Sequence, residues 1–183
     1  MKFNLDILPM TFIAIRFDEK TSEYIKKAGH ATSDKLGRPR SNKPAHITLT
    51  DYEGKIDELV EKLNFVAETI TPFDFDFWCC GYFITNGVVY ISPRYLDIFR
   101  AMQFNLQRVL GEPHSTYFNQ ASWVPHCTVI KGLKKTEVSK ATRHVAQQLG
   151  VFTARAVGFQ TFTPNSPDKF IDFGGEVEES TTF

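Results

Sequence analysis

Cysteine is scarce: there are three, and two of them, Cys79 and Cys80, are adjacent. Such a set makes no disulfide framework and has no zinc-ligand spacing. Net charge is also missing, because 21 Lys and Arg balance 21 Asp and Glu. A neutral chain argues against a long electrostatic footprint on duplex DNA. It leaves room for a small phosphate site, which needs only local donors. No run of about 18 apolar residues occurs, so no membrane-spanning helix is expected. Met1 to Met10 lack the charged start, apolar block and small-residue cleavage site of a signal peptide. These absences lead us to expect a soluble, reduced, cytoplasmic protein.

Phenylalanine, by contrast, is abundant, with 17 of the 25 aromatic residues. Most of these rings are expected in a core, with a few free to stack on nucleobases. The 183 residues suit a single domain or two small fused lobes.

The periodicity predicts mixed secondary structure. Phe12 to Phe17 reads as a strand, and a helical pattern starts at Asp18. Thr32 to Lys43 is polar, with Gly37, Pro39 and four basic residues (Lys35, Arg38, Arg40 and Lys43), and reads as a loop, either simply solvated or a mobile basic flap near a phosphate. Ala45 to Thr50 is a strand and Ile56 to Ile70 a helix. Phe73, Phe75 and Phe77 alternate with acidic residues, as in a strand with one buried face. Asn86-Gly87 is a hairpin signal leading into a strand over Val88 to Ser92.

Pro93 opens the next predicted helix, which Gly111 and Pro113 end. Glu112 to Ala121 is a loop and Trp123 to Ile130 a strand. Lys135 to Leu149 is a helix closed by Gly150, with strands over Phe152 to Phe162 and Phe170 to Phe173. We expect one domain over residues 1–175 and a frayed acidic tail over 176–183. Its two lobes are expected at about 10–80 and 88–163, with exchange of terminal strands between them.

Both halves run strand, helix, strand, helix, strand. Each carries a His-x-Thr on its middle strand: His46 and Thr48, then His126 and Thr128. Such a repeat is a statement about topology and not only a motif. In a strand, residues i and i+2 share a face, so each His projects with its Thr while Ile47, Leu49, Cys127 and Val129 enter the core. The three-residue pattern alone is weak, since His30-Ala31-Thr32 and His114-Ser115-Thr116 also carry it. Those two lack strand alternation and fall outside the repeated position. His144 lies on a helix and reads as a surface or packing residue. A single strand histidine would most simply be a satisfied polar residue; two at matching positions of a duplicated chain point to chemistry.

On these residues the chain resembles the two-histidine phosphoesterase superfamily. Its hallmark is two His-x-Thr/Ser-x motifs with hydrophobic x residues. The similarity runs over roughly residues 10 to 174 and includes the Phe12 to Phe17 opening, a turn at Gly81-Tyr82-Phe83 before the Val88 to Ser92 strand, and the Pro125-His126 context. The resemblance implies an α+β, duplicated bilobal fold, with two antiparallel-sheet lobes and outer helices around a central cleft. It implies a metal-independent phosphodiesterase without cofactor, acting on RNA-type 2',3'-cyclic phosphates or 2'-5' phosphodiester bonds. A cyclic or 2'-5' oligonucleotide signal, or nucleotide binding without turnover, is the alternative.

The chemistry suits the residues. Histidine exchanges protons near neutral pH, and phosphodiester cleavage needs a base for the attacking oxygen and an acid for the leaving one. Two threonine hydroxyls can bond the non-bridging oxygens as charge builds there. In the hydrolytic direction His126 is taken as base and His46 as acid. Secondary candidates for substrate binding are Phe83 for a base, Tyr90 lining the cleft, Arg16 for a phosphate and, by the resemblance, Lys131 as the basic residue beyond the second motif. Ser92 could line the cleft, Trp123 reads as core and Cys127 as a buried thiol. The expected partner is an RNA end, a small oligonucleotide or a cyclic nucleotide, bound by a monomer, with no membrane or duplex DNA. The Thr32 to Lys43 and Glu112 to Ala121 loops are expected to frame the cleft.

Overall fold

The computed structural model describes residues 10–83 and 85–174, and the backbone of Val177–Glu179. The N-terminal residues to which the signal-peptide expectation applies lie almost wholly outside that range. Among the described residues the elements are β1 (Met10–Phe17), α1 (Glu19–Lys35), β2 (His46–Glu53), α2 (Ile56–Ala67), β3 (Phe73–Phe83) and β4 (Val88–Pro93). There follow α3 (Asp97–Leu110), a short 3-10 turn (Thr116–Phe118), β5 (Cys127–Ile130), α4 (Lys135–Leu149), β6 (Phe152–Phe162), β7 (Lys169–Asp172) and β8 (Val177–Glu179). No described helix is long and apolar enough to cross a membrane.

The sheet is antiparallel, in the order β1-β2-β5-β4-β3-β6-β7-β8, with β1 also paired to β6. Six of the strands therefore close on themselves, and β7 and β8 extend from β6. The seam between β2 and β5 is narrow, consisting of the single pairing of Ile47 with Cys127. Elements of each half pack against the other half. Helix α1 lies on β5 and α4, while α3 lies on β2 and α2.

Each helix forms where its apolar spacing allows. Helix α4 buries Val138, Ala141, Val145 and Leu149, an i, i+3, i+7 stripe and one turn more. Helix α1 starts at Asp18, whose carboxylate accepts the Thr21 N–H at 3.0 Å. Its buried face holds small residues, among them Ala28, Gly29 and Ser33. That face lets α1 approach β5 closely: a Cβ on Gly29 would stand 2.8 Å from the Val129 carbonyl oxygen.

Phenylalanines fill the core as expected. Phe17, Phe75, Phe77 and Phe99 form a chain of ring contacts with centroids 4.9–5.8 Å apart. Each fully buried ring contributes roughly 1.5–3 kcal/mol. The acidic residues between them on β3 bond across to β6, Asp74 to Arg155 and Asp76 to Thr153.

Several boundaries differ from the expectation, each for a local reason. Helix α1 runs on through Thr32 to Lys35, because Thr32 satisfies its hydroxyl on the Ala28 carbonyl. The chain leaves the helix at Gly37, in the left-handed region at φ 63°. Gly81 to Phe83 is not a turn but the end of β3, paired with Tyr90 to Val88 up to the Asn86-Gly87 corner. Pro93 closes β4, and α3 begins only at Asp97. Strand β5 starts at Cys127 and not at Trp123, since Pro125 has no N–H to give a ladder. The predicted tail is paired over Val177–Glu179 against β7, and its other residues lie outside the described ones.

Substituting alanine for glycine inside a helix ordinarily stabilises it by about 0.5–1 kcal/mol. We expect Gly29→Ala to do the opposite, lowering stability by roughly 1–3 kcal/mol as α1 is pushed off β5. A denaturant midpoint at or above that of the wild type would show that the helix yields freely.

Candidate active site

The pairing of Ile47 with Cys127 sets everything around it. In antiparallel register it places His46 beside Thr128 and Thr48 beside His126. Neighbouring ladders extend the row: Arg16 pairs with His46, Thr128 with Tyr90, and Tyr90 with Gly81. Directly opposed residues point to one face. Arg16, His46, Thr128 and Tyr90 thus share a face of the sheet with Thr48. His126 stands one residue ahead of β5. The flanking Ile47, Leu49, Cys127 and Val129 are buried, while both histidines and both threonines are half-buried.

The two imidazoles are held in the same way. His46 Nδ1 lies 2.7 Å from the Pro44 carbonyl oxygen, and His126 Nδ1 lies 2.7 Å from that of Val124. A carbonyl only accepts, so each Nδ1 carries the proton and donates it. Each neutral ring therefore keeps its Nε2 as a lone-pair acceptor for chemistry. Around them the walls differ. The His46 ring packs on Phe162 at 4.5 Å between centroids, and the Lys43 ammonium lies 5.3 Å over the centre of that same phenyl ring. His126 meets Phe83 edge-on at 4.9 Å and Tyr90 at 5.3 Å, and these two stack on each other at 4.5 Å. Gly81 makes the space, since a Cβ there would lie 2.6 Å from the Tyr90 ring.

A cavity of about 500 Å³ opens beside the row. His46, Thr48 and Thr128 line it, together with Phe12 and Phe162. Arg38, Arg40 and Lys43 of the loop after α1, and Lys131 after β5, line it as well. The loop over Thr32 to Lys43 thus frames the cavity as expected, through its part beyond Lys35. The Glu112 to Ala121 loop does not: it lines a separate hollow and is tied down by Asp51, whose carboxylate accepts the N–H groups of His114 and Ser115.

Burial governs the electrostatics. Desolvation pushes the pKa of His46 down to about 4, against the Pro44 hydrogen bond that raises it; the charges of Lys43, His126 and Lys131 lower it further. Desolvation likewise lowers His126, opposed by Val124. Burial, then the neighbouring Cys79 and Cys80, raises Tyr90, whose hydroxyl keeps its proton at neutral pH. The Cys127 thiol is pushed up to about 12 by burial, against a hydrogen bond from the His46 backbone, and is inert.

The other residues singled out in the sequence fall as follows. Arg16 stands in the row, but its guanidinium is paired with Asp172 and lies over Phe170. Ser92 donates to the Pro125 carbonyl at 3.0 Å, bracing the approach to His126. Trp123 is buried, although outside any strand. His30 sits on α1 facing the Ser41 carbonyl, and His144 bonds Thr32 between α4 and α1. Phe162 has no signal of its own in the sequence; it reaches His46 only through the β1–β6 pairing. Among the described residues no group of three or more His, Cys, Asp or Glu side chains gathers as a metal site would.

The model of the 2'-5' RNA ligase superfamily matches residues 17–162. The chain belongs to that superfamily, the two-histidine phosphoesterases. By family it is a phosphoesterase. In three dimensions it is similar to E. coli LigT in its apo form, with a TM-score of 0.54 and 15% identity over 96% of each chain. LigT complexed with 3'-AMP gives a TM-score of 0.54 and 13% identity, over 97% of this chain and 100% of LigT. A further phosphoesterase crystal structure gives a TM-score of 0.52 and 15% identity, over 96% of this chain and 99% of that one. At such identities these likenesses show the fold. No curated protein matches in sequence.

The pH dependence of stability follows from His46. The unfolded chain protonates this ring near its ordinary 6.5, the folded chain only near 4. Between those values the unfolded state binds more protons. The stabilisation is therefore complete above about pH 6.5 and lost as pH falls towards 4, by roughly 2–3 kcal/mol at the lower end. We expect His46→Asn to flatten that decline when denaturant unfolding is compared at pH 7 and pH 4.5. Equal declines in variant and wild type would rule the effect out.

Proposed function

We propose that the chain is a metal-independent phosphodiesterase acting on RNA-type 2',3'-cyclic phosphates or 2'-5' phosphodiester bonds. The observation that carries this reading is the matched pair of half-buried histidines. Each is oriented by a carbonyl and each stands beside a threonine of the other motif. That E. coli LigT takes 3'-AMP into a similar fold supports a nucleotide substrate. The cavity volume is in the range of small-molecule sites.

In hydrolysis of a cyclic phosphate, water attacks phosphorus as His126 Nε2 takes its proton. The bond to one ribose oxygen breaks, and that oxygen receives the proton held on His46 Nε2, leaving a phosphomonoester. In a 2'-5' linkage the neighbouring 3'-hydroxyl is the nucleophile, the 5'-oxygen leaves protonated, and a cyclic phosphate forms. Thr48 and Thr128 give hydrogen bonds to the non-bridging oxygens in the five-coordinate transition state. A low pKa makes protonated His46 a ready donor, and the phosphate anion favours the proton's arrival there. Phe83 and Tyr90 offer a face for a nucleobase beside His126, and Lys131 a charge beside His46. Base, acid and hydroxyls all come from the chain, so no metal enters a step. The protein acts as a monomer in the cytoplasm.

A nucleoside 2',3'-cyclic phosphate and a 2'-5' oligoadenylate, with a 3'-5' control and cyclic di- and trinucleotides, would be incubated with the protein in EDTA. We expect turnover of one of the first two. His46→Ala and His126→Ala should each lose about 10²–10⁴-fold. Turnover of the cyclic di- or trinucleotides alone would move the reading to a signalling nucleotide. No turnover with retained nucleotide binding would mark a binding module.

The pH profile is a second check. Catalysis needs one imidazole charged and one neutral, and both pKa values lie below the usual histidine value. We therefore expect kcat/KM to be highest below about pH 6.5 and to fall about tenfold per unit on the alkaline side. A maximum above pH 8 would contradict the two-histidine assignment.

A further inference from the structure

The neutrality of the chain conceals a strong polarity. Residues 26–43 and 131–143 together hold eleven Lys and Arg against two acidic residues, Asp34 and Glu137. They carry a net charge of +9 in a chain whose total is zero, so the remainder carries −9. The fold brings the two segments together, because α1 packs on α4. Contacts trace a continuous strip. At the cavity, Lys43 and Lys131 both act on His46. Arg38 donates to the Gly132 carbonyl at 2.7 Å and pairs with Glu137, beside Lys134. Further on, His144 bonds Thr32 and feels Lys35. Lys140 and Arg143 are exposed on the same helix as His144.

From this we infer that the strip is a track for the phosphate backbone of single-stranded RNA leading away from the reacting phosphate, and that the substrate is an oligonucleotide several residues long. The inference rests on the phosphodiesterase reading for the identity of the polyanion. Continuity with the cavity favours RNA over a membrane surface, since the strip begins at Arg38, Lys43 and Lys131, which line the cavity itself. The strip carries no aromatic platform of the kind that reads or stacks bases, so it holds phosphates without sequence preference. Counterion release makes such binding depend on salt, with a slope of about 0.7 per phosphate neutralised on a single strand.

The test is fluorescence anisotropy of labelled RNA of 3 and 12 nucleotides, each ending in a 3'-phosphate, titrated from 50 to 300 mM salt. His46→Ala serves as host, so that cleavage plays no part. The 12-mer should bind at least tenfold more tightly than the 3-mer at low salt, with the difference vanishing at high salt. Neutralising the exposed Lys35→Gln, Lys140→Gln and Arg143→Gln together should cost the 12-mer about tenfold. It should also lower its salt slope by about 2. In the His46-intact background the same changes should leave turnover of a mononucleoside cyclic phosphate unaltered, which also reports correct folding. Equal affinity for both lengths, an unaffected 12-mer in the triple variant, or tighter binding to phosphatidylserine vesicles than to RNA would overturn the inference. Absence of turnover with length-dependent binding intact would instead count against the catalytic reading alone.

Discussion

One backbone pairing, Ile47 with Cys127, joins the two motif strands. Its geometry decides which groups meet. Antiparallel register crosses the motifs, so each histidine faces the threonine of the other half. The same pairing drives Ile47 and Cys127 into the core, with no measurable exposure. A slip of one residue would turn the His and Thr of the slipped strand inward and bury them without partners. The seam is narrow, yet the strands it links are each held on their other edge by a full ladder, β2 by β1 and β5 by β4. The site thus depends on the closure of the whole sheet.

Desolvation then shapes the chemistry. Rings stand on both sides, Phe162 against His46 and Phe83 with Tyr90 against His126. They exclude water and lower both histidine pKa values. Lysines near His46 act in the same direction. An empty site therefore keeps both rings neutral, with Nε2 aimed outward by the carbonyl bonds at Nδ1. An entering phosphate supplies the negative charge that this arrangement lacks. The crowded polar interior and the basic strip beside it belong to one electrostatic design. Anions are drawn towards a place where only a neutral pair waits.

Much of the fold was legible along the chain. Helix α4 and strand β6 follow their apolar periodicity to the residue, and the Asn86-Gly87 corner names its own hairpin. The motif strands stood out because His46 and His126 occupy the same place in a repeated order of elements. Where the reading failed, tertiary contacts or special residues had overridden local signals. Polar Thr32 stays helical because its hydroxyl finds a carbonyl within its own helix. Gly81 to Phe83, a turn by the family resemblance, is kept extended by its cross-strand partners.

The sequence by itself determined the elements, the duplicated motif and the residue types able to move protons, because these rest on periods of two and 3.6 residues and on side-chain chemistry. Only the tertiary structure decided the rest. Which threonine stands beside which histidine follows from register, a relation between strands that no local pattern encodes. Phe162 reaches His46 across β1, and segments 26–43 and 131–143 form one charged strip because α1 crosses to pack on α4. Even the neutral total charge, plain from composition, said nothing of its distribution, since charge is summed along a chain but felt in space.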